Sequence, residues 1–65
     1  MAIENGQIRI YYQPYKSTPT KKIYDIIVIT EHLEDGYRYL SLSHGDIVWD
    51  YDYMIEKYTR IIDGT

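Results

Sequence analysis

The sequence predicts a small, mainly β domain with one short helical turn before its last strand. Segments 7–12, 23–30, 37–42 and 47–51 have strand length and are rich in isoleucine, valine and tyrosine. Glycine-bearing turns separate the last three of them. Nine tyrosines and one tryptophan stand in 65 residues with no phenylalanine or cysteine. Tyrosine joins an apolar ring to a polar tip and suits half-buried strand positions and contact surfaces.

Residues 7–12 alternate, with Ile8, Ile10 and Tyr12 on one face and Arg9 and Tyr11 on the other. The isoleucine face is read as the buried one. Residues 13–22 (QPYKSTPTKK) hold both prolines and three lysines and read as a long exposed loop. Residues 23–30 (IYDIIVIT) are apolar on both faces, which predicts a central strand. Glu34-Asp35-Gly36 signals a hairpin, with glycine supplying a positive φ.

Residues 37–42 set Tyr37, Tyr39 and Ser41 against Arg38, Leu40 and Leu42, and the two tyrosines are read as facing away from the core. Residues 43–46 form a second turn, and residues 47–51 place Ile47, Trp49 and Tyr51 on one side of a fourth strand. Asp50 or Asp52 is positioned to cap a helical turn reaching Tyr58, with Met54, Ile55 and Tyr58 docking on the core. Residues 59–62 read as a closing strand. Core candidates are Ile3, Ile8, Ile10, Ile23, Ile26, Ile27, Ile29, Ile47, Ile55 and one of Ile61 and Ile62.

A chain this short forms one domain, spanning residues 1–65 with its body in 6–62, and buries only about 60% of its unfolded surface. Without cysteine or a Cys/His zinc set, its stability rests on aliphatic packing or on dimerisation. The start lacks the basic and apolar stretches of a leader, and the longest apolar run, 26–29, is too short for a membrane span. With no cysteine, these features predict a soluble protein of the reducing cytoplasm.

This order of strands, long first loop and late helical turn resembles the SH3-like small β-barrel, with five strands. It also resembles small bacteriophage proteins. Those open on a glycine-led strand (here Gly6-Gln7-Ile8), carry a dipeptide-glycine hairpin (here Glu34-Asp35-Gly36-Tyr37), and close on an aromatic helical turn and strand (here residues 53–61). The SH3 resemblance implies a ligand groove lined by aromatics, and Tyr12, Tyr15, Trp49 and Tyr58 fall in the corresponding segments. The acidic residues that would meet a ligand arginine are missing from the long loop, which is basic.

No nucleotide-binding glycine motif is present. Ser43, His44 and Asp46 assemble a hydrolytic set only on paper, because neighbours in a tight turn do not aim at one another. Asp46, Asp50 and Asp52 lack the spacing of a calcium loop, and His32 and His44 have no partner at zinc spacing. The sequence therefore predicts no enzyme activity, no metal and no cofactor.

Binding remains. Trp49-Asp50-Tyr51-Asp52-Tyr53 alternates aromatic and acidic residues. With Tyr37, Tyr39 and Glu56 it forms the candidate surface for a protein partner with a basic face. Following the phage resemblance, such a chain would act as an inhibitor of a host or defence protein. A homodimer is a further expectation. The alternative is nucleic-acid binding through Arg9, Tyr11, Lys21, Lys22 and Arg38. Residues 1–22 are net basic and residues 23–65 net acidic, but the whole chain carries −3, whereas a nucleic-acid binder shows a basic footprint.

Overall fold

The computed structural model describes residues 3–62. The chain runs β1 (Ile8–Tyr12), β2 (Tyr24–His32), β3 (Gly36–Ser41), β4 (Asp46–Tyr51), α1 (Asp52–Tyr58) and β5 (Thr59–Ile61). The strands form one antiparallel sheet in the order β4-β3-β2-β1-β5. This is the expected class: mainly β, with five strands and a helix before the last. β2 is central, as its two apolar faces predict, and α1 packs on β1, β3, β4 and β5. Met1 and Ala2, at the start read as lacking a leader, lie outside the described residues. No helix among the described residues is long and apolar enough to cross a membrane.

The inner face of the sheet buries Tyr11, Ile27, Ile29, Tyr37 and Tyr39 against Ile55 of α1, with Ile3, Val48 and Tyr58 packed on that cluster. This reverses the expected faces of β1 and β3. Tyr11 is 2% exposed, whereas Ile8 is 41% exposed. Alternation defines two faces without saying which one meets the helix. The inner face takes the polar tips because it holds partners for them. The Tyr11 hydroxyl donates to Asp50 Oδ2 (2.8 Å), and Arg9 donates to Thr59 Oγ1 (2.6 Å) and Gln7 Oε1 (2.9 Å). Of the isoleucines read as core, Ile27, Ile29 and Ile55 are fully buried, while Ile47, on the outer face of β4, is exposed.

Two local expectations also change. Gly36 does not supply a positive φ; among the described glycines, Gly6 and Gly45 do. Gly36 opens β3 opposite Tyr51, where an added Cβ would collide with the Asp50 carbonyl oxygen and the Trp49 ring. Helix α1 has Tyr51 at its N-cap and no side-chain cap, so neither Asp50 nor Asp52 plays that part. Asp50 is occupied by Tyr11 and by the Tyr51 amide (3.2 Å), and Asp52 lies in the first turn, where a negative charge favours the helix dipole.

The long loop is ordered by its own polar residues. Ser17 Oγ donates to the Gln13 carbonyl (2.7 Å) and accepts from the Ile23 amide (2.9 Å), while the Thr18 amide donates to the Lys21 carbonyl (2.7 Å). The loop therefore presents Pro14 and Tyr15 beside the end of β4 and the start of α1.

Candidate functional site

A cleft of about 220 Å³ lies between the long loop and the β4–α1 junction. Pro14 and Tyr15 line it on the loop side, Tyr51, Tyr53 and Met54 on the other, and Tyr11 and Asp50 also line it. Trp49, Tyr51 and Tyr53 form a continuous aromatic ladder. The Trp49 and Tyr51 rings meet edge to face at 4.7 Å, and the Tyr51 and Tyr53 rings stack at 5.5 Å. Strand alternation puts Trp49 and Tyr51 on the outer face of β4, and the turn into α1 brings Tyr53 alongside. Tyr15 is 89% exposed and Tyr53 60%, so these rings contribute little to the core.

The same end of the molecule is acidic. The Asp52 amide donates to the Asp35 carbonyl (3.1 Å), which draws the β2–β3 turn with Glu34 and Asp35 to the start of α1. Asp50, Asp52 and Glu56 follow from β4 and α1. None of these five acids joins an ion pair among the described residues, where the Arg38–Glu31 pair (2.6 Å) stands apart from them. An uncompensated acidic rim on an aromatic surface raises the local concentration of a basic partner.

Tyr37 and Tyr39, expected on the contact surface, belong instead to the core at 5% exposure. Burial pushes the hydroxyls of Tyr11, Tyr37 and Tyr39 above the ordinary tyrosine range, and nearby carboxylates add to the effect: Asp50 for Tyr11 and Tyr39, Glu56 and Asp52 for Tyr37. The residues named for nucleic acid are dispersed. Tyr11 is buried, Arg9 is bonded inside, Arg38 is paired with Glu31, and Lys21 and Lys22 sit on the loop.

A second aromatic cluster forms at the opposite edge of the sheet. Tyr12 packs against Tyr24 (5.6 Å) and Tyr58 (6.2 Å), with Lys22 over the Tyr12 ring and Lys57 over the Tyr58 ring. The aromatic set implied by the SH3 resemblance is thus divided: Tyr15 borders the acidic cleft, and Tyr12 and Tyr58 belong to this basic cluster. Sequence order gave no sign of it, because Tyr12 and Tyr58 meet only when β5 pairs with β1.

The Ser-His-Asp question resolves around a different aspartate. Ser41 Oγ donates to Asp25 Oδ2 (2.5 Å) and lies 3.2 Å from His44 Nδ1, while Ser43 Oγ lies 3.0 Å from the same nitrogen. A catalytic relay places the histidine between nucleophile and carboxylate. Here Ser41 occupies the middle at 2% exposure, and Asp46 is not part of the network. The cluster fixes the β3–β4 turn to β2. Burial raises the Asp25 pKa, but the bonds from Ser41 and Ser43 outweigh it and hold the carboxyl below its ordinary value.

Among the described residues no cluster of histidine and acid side chains has the arrangement to hold a metal ion. Comparison with protein-family models, curated proteins and solved structures finds no match for this chain.

Proposed function

We propose that the chain is a non-enzymatic protein-binding domain that receives a basic partner surface at the acidic, aromatic end. The observation that carries this reading is the cleft between Tyr15 and Tyr53, lined also by Asp50 and Tyr51, with the Trp49–Tyr51–Tyr53 ladder running on from it and, among the described residues, four further acids without an ion pair at the same end of the molecule. Tyrosine and tryptophan anchor interfaces because they bury much area at small entropic cost. The cleft is small beside the several hundred Å³ of a typical small-molecule pocket, which favours a protruding side chain or loop of a protein as the guest.

The strand-and-turn pattern resembles small bacteriophage proteins, so a bacterial lysate is the first place to look. The tagged chain, with and without nuclease, is used as bait beside a Tyr15→Ala/Tyr53→Ala variant. The reading expects one protein retained in stoichiometric amount after nuclease, released by salt and lost with the variant. Retention of nucleic acid, with proteins lost after nuclease, would replace it with the nucleic-acid reading.

A further inference from the structure

The outer face of the sheet carries an unbroken apolar row across its whole width. Register places Ile8 opposite Val28, Val28 opposite Leu40 and Leu40 opposite Ile47. The bond from the Ile62 amide to the Ile8 carbonyl (3.1 Å) adds Ile62 at the far end. A second row follows on the same face: Ile10 pairs with Ile26, and the Leu42 amide bonds the Ile26 carbonyl (2.9 Å). Ile8, Leu42, Ile47 and Ile62 are between 41% and 55% exposed. Water therefore meets the aliphatic surface that a short, cysteine-free chain most needs to bury.

We infer that this face is the interface of a homodimer in which two sheets stack across their apolar rows. Two observations point to a second copy as the occupant. The first is area. The two rows span the sheet and leave Ile8, Leu42, Ile47 and Ile62, with Tyr24 and Trp49 beside them, exposed on one face, the kind of broad, mostly apolar surface from which each partner of a stable interface buries about 800 Å².

The second is charge. Arg60, opposite Ile10, stands on the β5 edge of the face, and Lys22, over the Tyr12 ring, stands at the same end of the strands as Tyr12 and Tyr24. Glu34 and Asp35, in the β2–β3 turn, stand at the diagonal corner, near β4. The charged pair within the face, Arg38–Glu31, neutralises itself. A two-fold axis lying between the sheets along the other diagonal sets the basic corner of each copy against the acidic corner of its mate. The strands then cross at nearly right angles, one of the two arrangements that packed sheets adopt. The dimer face shares Trp49, Glu34 and Asp35 with the acidic, aromatic end but none of the residues that line the cleft, so Tyr15→Ala/Tyr53→Ala tests the partner reading without touching the dimer rows.

The test is sedimentation of the isolated chain at micromolar concentration. The expected mass is twice the 7.8 kDa of one chain. Ile47→Lys with Leu42→Lys, both at exposed positions, should give a folded monomer by circular dichroism. Arg60→Glu should weaken the dimer at least tenfold, and adding Glu34→Arg with Asp35→Arg should restore it. A wild-type monomer at these concentrations overturns the inference. So does a dimer indifferent to Arg60→Glu, a reading that holds even if the lysine variant fails to fold.

Discussion

The Tyr11 hydroxyl donates to Asp50 Oδ2 at 2.8 Å, joining β1 to β4 across the inner face of the sheet, from strands that share no ladder. The bond gives the buried Tyr11 hydroxyl a partner and so makes a tyrosine acceptable in the core. Tyr11→Phe keeps the ring and removes the donor. Urea unfolding should show a loss of about 1 kcal/mol, since a part-buried hydrogen bond to a carboxylate is given up but Asp50 retains the Tyr51 amide. Tyr53→Phe, at an exposed ring, should leave the midpoint unchanged.

Raising the pH should unfold the protein through its buried tyrosines. Burial first, and neighbouring carboxylates second, place the folded-state pKa of Tyr11, Tyr37 and Tyr39 above the unfolded value of about 10. Their contribution to stability is complete below pH 10 and is lost as the pH climbs above it. Ultraviolet titration of the nine tyrosines should show a delayed fraction that ionises together with loss of circular dichroism. Smooth ionisation of all nine with the fold intact would contradict the core assignment.

Acid should act through Asp25. Its folded-state pKa lies below the ordinary value, because the bonds from Ser41 and Ser43 outweigh the cost of burial. The stability it supplies is present above about pH 3.9 and is lost as the pH falls through the folded-state value. Asp25→Asn should cost about 1–3 kcal/mol at neutral pH and flatten the acid limb of the stability profile. An unchanged acid limb would remove Asp25 from the account.

Gly36→Ala should be severe, costing roughly 2 kcal/mol or more, because the new methyl group has to displace strand β4 at the Asp50 carbonyl. Gly6→Ala meets open space and is opposed only by its positive φ, so thermal melting should show the smaller loss there.

The strand count, the central place of β2 and the late helix were legible in the sequence because each rests on a local pattern. The two-sided apolar run 23–30 marks a central strand, and Met54 and Ile55 mark the docking face of a short helix. The faces of β1 and β3 were not legible. Ile8/Ile10 against Arg9/Tyr11 reads as isoleucine inward on hydropathy, yet Arg9 and Tyr11 find partners on Thr59 and Asp50, residues far along the chain. Half of the candidate site was visible in Trp49-Asp50-Tyr51-Asp52-Tyr53. Tyr15 and Pro14 joined it only through the fold of the long loop, and the acids of the β2–β3 turn only through the Asp52–Asp35 backbone bond.

The most direct test of the central claim is site-specific photo-crosslinking in bacterial lysate, with a benzophenone side chain placed at position 53 in one sample and position 47 in another. The account predicts that position 53 captures a different protein, and that position 47 yields an adduct of two copies of this chain. A nucleic-acid adduct at position 53, or the same foreign protein captured from both positions, would contradict it.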